Sequence, residues 1–189
     1  MINRVHGNRI MRLNSSNIDE EIRSYLVKVD EIEFPELHAD KLRFIDIVKR
    51  RPLNGGPYPR VSLFEASNRI FSDITSLFGI HRLLADPLIN QIRLQFTEYG
   101  VALGVEGGED IVADNGQQNL VGEVFNVAPT FFQAKKTAML KKLRSNTTAD
   151  FRLVIFNADA VRSPNYYLEK SEPSMLYLPI NIWEYREHF

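Results

Sequence analysis

Two carboxylates and the lysines that follow them are the residues of this 189-residue chain whose types and spacing could do chemistry. Asp110 and Glu123 stand in "EDIVADNGQQNLVGEVFNV", residues 109–127. Two short apolar runs flank Asn115-Gly116, a strong hairpin signal. If the loop is Asn115-Gly116-Gln117-Gln118, Asp114 pairs with Asn119 and Asp110 falls opposite Glu123. If the loop is only Asn115-Gly116, Glu123 lies diagonally from Asp110. Either way both carboxylates point to one face, because strand side chains alternate with period two. Directly opposed residues have Cβ atoms ~5 Å apart. Two like charges at that distance call for something positive between them, and a hard divalent cation such as Mg²⁺ takes such oxygens. The competing reading is a pair of solvated acids on a surface hairpin.

The next stretch, "PTFFQAKKTAMLKKLR" (129–144), has helical spacing, with Phe132, Met139, Leu140 and Leu143 on one apolar stripe. Lys136 falls inside that stripe, and lysine is seldom buried without a partner. It either snorkels out past its neighbours or reaches over the sheet toward Asp110 and Glu123. Gln133 lies at the stripe's edge. Lys135, Lys141 and Lys142 form an outer basic surface that suits phosphates, or simply a solvated face.

Other chemistries find little support. No cysteine is present, which removes disulfides, thiolate metal sites and cysteine nucleophiles and fits a reducing cytoplasm. His6, His38, His81 and His188 are too scattered for a zinc site. "GVEGGED" has glycines but neither the following helix nor the Lys-Ser/Thr of a phosphate loop, and there is no G-x-S-x-G elbow. A net charge of −1 excludes a general polyanion binder, so any nucleic-acid contact needs a local basic patch. No apolar run approaches a membrane span, and the first residues lack the apolar region of a signal peptide.

The elements that must position these residues follow from pattern. One domain is expected at this length. Residues 1–16 read as an irregular or extended arm. A helix over 18–29, capped by Ser16 or Asn17, buries Ile22, Tyr25, Leu26 and Val29. A second spans about 39–50. "PLNGGPYPR" is the clearest breaker and divides an N-terminal helical extension, 1–60, from the core. Ser62 and Glu65 make a capping box for a helix carrying Phe64, Ser67, Phe71, Ile74 and Phe78, with Gly79 as a natural stop. "NQIRLQFTEY" alternates as a strand, and "VALGV" continues it or turns. After the hairpin come a helix at about 130–144 and a strand over 151–157, and "SMLYLPINIW" supplies one more strand. The fold class is α/β or α+β with a mixed sheet.

This order of elements resembles the core of the PD-(D/E)xK nuclease superfamily, the fold of many restriction and repair nucleases: a strand with an Asp, a turn, a strand with Glu-x-Lys, a helix and a strand. The resemblance covers about 61–157 and leaves 158–189 as a C-terminal extension. Asp110 matches the first motif acid, with Glu109 where proline often stands, and Glu123 matches the second. The helix bearing Glu65 resembles the preceding core helix, which often supplies a further acid. The motif lysine position holds Phe125, followed by Asn126. Either the lysine has moved to the next helix, with Lys136 first and Lys135 second, or the site is inactive and the fold serves DNA or protein binding.

The resemblance implies a restriction-endonuclease-like core with a mixed central β-sheet flanked by helices. It implies a Mg²⁺-dependent DNA endonuclease, with Mn²⁺ as substitute, that hydrolyses phosphodiester bonds. Asp110, Glu123 and the Val124 carbonyl would hold the metal, and Lys136 would orient the attacking water. Glu65, Gln133 and Lys135 are accessory candidates; Lys135, Lys141 and Lys142 are candidate DNA contacts. Cutting a duplex needs two sites, hence a homodimer or a second nuclease or recognition subunit. "KRRPLNGGPYPR" and "RSPNYYLEK" are candidate readers of sequence. An unrelated α+β interaction module is the remaining reading, and it predicts the two acids far apart.

Overall fold

The computed structural model describes residues 10–36, 40–104 and 108–189. A six-stranded mixed sheet lies between helices. Its strands are β1 (Met11–Asn14), β4 (Glu98–Val101), β5 (Ile111–Asp114), β6 (Asn119–Phe125), β7 (Phe151–Asn157) and β8 (Leu176–Ile180), in that spatial order. The first four pair antiparallel, and β6–β7 and β7–β8 are parallel. A separate two-stranded hairpin joins β2 (Leu88–Ile89) and β3 (Ile92–Arg93). The helices are α1 (Ile18–Asp30), α2 (Lys41–Arg50), α3 (Leu63–Ala85), α4 (Phe132–Ser145), α5 (Pro164–Glu169) and α6 (Ile182–Arg186).

Side-chain alternation builds two cores on the two faces. Leu120 and Val124 of β6, with Leu153 and Ile155 of β7, face α3 and the larger core, which runs from Leu13 to Ile182 and includes α1. Val121 and Phe125, with Val154 and Phe156, face α4 and a smaller core closed by Phe132, Leu143 and Met175. A central strand buried on both sides reads as a nearly continuous apolar run, and Glu123 interrupts that run.

Several elements differ from the sequence expectation. The helix that Gly79 was expected to end continues to Ala85. Gly79 is there because Ile155 packs against the helix backbone: a Cβ at this position would lie 2.6 Å from the Ile155 Cδ1. "NQIRLQFTEY" is not one strand. Asn90 (φ 43°) and Gln91 (φ 68°) adopt left-handed conformations and turn the chain between β2 and β3, a step that Asn takes at low cost. The sheet resumes only at Glu98. The arm contributes the edge strand β1, residues 1–9 lying outside those described. Position 39, where the second helix was expected to start, also lies outside them, and Asp40 caps α2 by accepting from the Leu42 and Arg43 N–H groups. The strand over 151–157 and the strand in the tail are present, the tail adding α6.

Candidate active site

The hairpin loop is the four-residue alternative. Asp114 pairs with Asn119 and Ile111 with Gly122, and Gly116 takes the positive φ the turn requires, 82°. Continuing this register by one residue sets Asp110 across from Glu123. The Asp110 carboxylate does part of the work of the ladder that has just ended, its Oδ2 accepting from the Val124 N–H at 2.8 Å. Glu123, on the face shared with Val121 and Phe125, is only 2 % exposed.

The positive charge beside these acids is Lys142. Its Nζ lies 2.5 Å from Glu123 Oε1 and also donates to the Gly108 carbonyl. The Lys142 ammonium thus forms an ion pair with an oxygen of a carboxylate that is almost wholly buried. Burial, and next the Asp110 charge, push the Glu123 carboxyl up to about 7, with Lys142 opposing. Burial likewise raises Asp110, against the Val124 N–H, Lys142 and Lys135.

Lys136, expected to reach toward the acids, is directed elsewhere. Its ammonium lies 5.0 Å from the Tyr167 ring centroid and 5.6 Å from that of Phe132, with the Tyr167 hydroxyl at 3.5 Å. The physical reason is position along α4. Lys136 lies in the first half of the helix, over the aromatic cluster. Lys142, nearly two turns later, lies over the acids. Lys135 and Lys141 are exposed. Gln133 lines a different cleft, near Phe132 and Tyr166.

Phe125, which the resemblance sets at the motif lysine position, is buried and stacks on Phe156 with centroids 6.0 Å apart. Glu65 does not face the acids. Its N–H donates to Ser62 Oγ at 3.2 Å and its carboxylate pairs with Arg69 at 2.6 Å. The acid that α3 does bring to Asp110 is Asp73. Both line a cavity of about 270 Å³ with Asn68, Arg69, Ser72 and Val124. Asp73 Oδ2 accepts from Tyr25 (2.6 Å) and Tyr58 hydroxyls, and Oδ1 from the Gly104 N–H (3.0 Å). Burial raises the Asp73 carboxyl, and the Asp110 charge adds to the rise. The sequence held a signal for it: Asp73 stands one turn after Ile70 and one before Leu77, an acid on a buried stripe.

The donors suit a hard cation. Asp110 and Glu123 are neighbouring carboxylates, Glu123 Oε1 being already paired with Lys142, and a hard cation such as Mg²⁺ takes carboxylate oxygens while keeping several waters. Among the described residues no three His, Cys, Asp or Glu side chains form a metal-binding group, so a cation here rests on two carboxylates, main-chain oxygen and water. His6 and His38 lie outside the described residues.

Comparison with known proteins finds no matching family model, no matching curated protein and no matching solved structure. The class of protein defined by the fold is mixed α/β, a six-stranded sheet flanked by helices. Among the described residues no helix is long and apolar enough to cross a membrane.

Proposed function

We propose that the protein is a Mg²⁺-dependent endonuclease of the PD-(D/E)xK type acting on DNA, with Mn²⁺ as substitute. The observation that carries this reading is the convergence of Asp110, Glu123 and Lys142 at one place on the sheet. The order α3, β4–β5–β6, α4, β7 supports it, since it contains the helix, hairpin, helix and strand of that core.

Asp110, Glu123 and the Val124 carbonyl would hold Mg²⁺, which when bound lowers the pKa of water and neutralises charge on phosphate. The Val124 N–H fixes Asp110 by occupying Oδ2. Lys142, not Lys136, takes the lysine role: its ammonium stabilises negative charge beside Glu123 and orients the attacking water. Arg69, in the wall of the cavity that reaches Asp110, is placed to contact a phosphate of the strand. A single site cuts one strand, so duplex cleavage requires a homodimer or a second subunit. A cysteine-free chain fits the cytoplasm.

A second reading has its own observation. The Lys142 ammonium already neutralises Glu123, as a cation would, and Phe125 fills the motif lysine position. On that reading the fold binds DNA or protein without cutting.

The experiment is a plasmid cleavage assay with Mg²⁺, Mn²⁺ or EDTA, on wild type, Asp110→Ala, Lys142→Ala and Lys136→Ala. Cleavage by wild type and Lys136→Ala, lost in the other two and in EDTA, is expected. Absence of cleavage together with no Mg²⁺- or Mn²⁺-dependent change in Tm selects the second reading.

A further inference from the structure

A second cleft, of about 530 Å³, opens at the other end of α4, between its first turn and α5. Its walls include Pro129, Phe132, Gln133, Arg162, Tyr166 and Tyr167. Phe132 and Tyr167 meet edge to face at 5.3 Å, and Tyr166 and Tyr167 at 5.4 Å. Tyr166 is 50 % exposed, so part of its ring is open to a ligand. Cations surround these rings: Lys136 lies over Phe132 and Tyr167, and Lys170 lies 4.2 Å from the Tyr166 centroid. Among the described residues none of Lys136, Arg162 and Lys170 has a carboxylate within ion-pair distance, and Asp159 accepts from the Asn157 amide.

The charge decides the ligand class. A cationic ligand is excluded, because Lys136 and Lys170 already place positive charge against one side of these rings. A purely apolar ligand leaves Gln133, Ser163 and Arg162 without partners. A planar group carrying negative charge satisfies both: rings for stacking, cations for the anion.

We propose that this cleft binds an unstacked nucleobase of single-stranded nucleic acid, with Tyr166 as the stacking platform and Arg162 on the adjoining phosphate. Stacking on an aromatic ring beside a basic surface is the general mode for single strands. The cleft lies about 14 Å from Lys142 along α4, nine residues of helical rise, a separation that a few nucleotides span. The inference rests on the proposed function only in taking the substrate to be a nucleic acid, and it needs no metal.

The test is fluorescence anisotropy with a fluorescein-labelled single-stranded oligodeoxynucleotide in EDTA. Wild type and Lys49→Ala, an exposed residue of α2, bind alike. Tyr166→Ala and Arg162→Glu each bind about tenfold more weakly, and Tyr166→Phe within about twofold of wild type. Both side chains are exposed, and circular dichroism checks that the variants fold. No binding by wild type, or equal binding by wild type, Tyr166→Ala and Arg162→Glu, overturns the inference. Failure of plasmid cleavage and of any Mg²⁺- or Mn²⁺-dependent change in Tm, with these binding differences intact, overturns the nuclease reading alone.

Discussion

Lys142 Nζ lies 2.5 Å from Glu123 Oε1, across the interface between α4 and β6. The glutamate is almost wholly buried, while the lysine side chain is 40 % exposed. Their dependence is therefore unequal. Truncating the lysine leaves a buried carboxyl beside Asp110 with its main neutralising charge gone, and removing one partner of a buried pair costs more than the pair itself contributes. Lys142→Ala is expected to raise the Glu123 proton affinity further and to reduce cleavage about 100-fold or more. Lys136→Ala, which removes only the contact with Phe132 and Tyr167, should leave cleavage within about threefold. Single-turnover rates at saturating Mg²⁺ check the pair, and a reversed order of effects returns the lysine role to Lys136.

Glu123 gives the fold an unusual pH dependence. Its carboxyl titrates near 7 in the folded chain, against an ordinary value of 4.5. The folded state thus binds the extra proton between these values, and stability present below about 4.5 is lost as pH rises through 7. Asp110 and Asp73 are shifted in the same direction by burial. Between pH 5 and 8 the wild-type Tm should fall on the order of 5 °C more than that of Glu123→Gln, which has no proton to lose. Mg²⁺ at pH 8 should recover part of this loss in wild type and none in Glu123→Gln. Thermal melts across pH, with and without Mg²⁺, read both effects; parallel curves for the two proteins would remove the linkage.

How far the sequence discloses this arrangement follows from the range of the interactions involved. The Asp110–Glu123 juxtaposition is legible because hairpin register is local: Asn115-Gly116 and strict alternation determine which face each acid takes. The rotation of α4 is not legible. Phe132, Met139, Leu140 and Leu143 define a stripe, but which lysine overhangs the acids depends on how far along the sheet the helix lies, and that is set by Phe132 packing on Phe156 at 5.1 Å, a contact 24 positions apart in the chain. Gly79 misleads for a related reason. A glycine that ends helices locally is here selected by Ile155, from another strand. Asp73 was readable as an acid on an apolar stripe, yet its partners Tyr25 and Tyr58 come from segments separated from it by helices and a proline-rich loop.

The packing of Phe125 explains why a lysine cannot simply be placed at that position of β6. Its ring lies between Phe132 (5.8 Å) and Phe156 (6.0 Å) in the smaller core. Phe125→Lys empties that place and buries an ammonium without a partner, so a loss of about 3–5 kcal/mol is expected from the cavity alone, with the charge adding to it. Chemical denaturation measures the loss. A stable Phe125→Lys with cleavage surviving Lys142→Ala would mean that the strand position can still host the function and that the core is more plastic than its packing implies.

Gly79→Ala should be felt through the sheet. The new Cβ meets Ile155 Cδ1 at 2.6 Å and Cγ2 at 2.9 Å, so either Ile155 changes rotamer or α3 moves outward, at about 1–3 kcal/mol. Ile155→Val in the same chain should return part of it by removing the clashing Cδ1. A double-mutant cycle by urea denaturation checks this, and strictly additive effects would mean that the two residues do not bear on each other.

Asp73 is better placed to hold the cavity wall than to hold a cation, and the two roles separate by experiment. Its carboxylate oxygens are engaged by Tyr25, Tyr58 and the Gly104 N–H. From Gly104 the chain leads back to Ala102, whose N–H donates to the Asp110 carbonyl at 2.9 Å. Asp73 thereby links α1 and the proline-rich loop to the segment that carries Asp110. Tyr25→Phe removes one hydrogen bond to a buried charge and should cost about 1.5–3 kcal/mol, with the Mg²⁺ dependence of cleavage unchanged. Asp73→Asn places an amide N–H₂ against hydroxyl and amide donors and should cost more. If Tyr25→Phe instead leaves stability intact and shifts the Mg²⁺ concentration needed for half-maximal cleavage, Asp73 belongs to the metal site and the wall role fails.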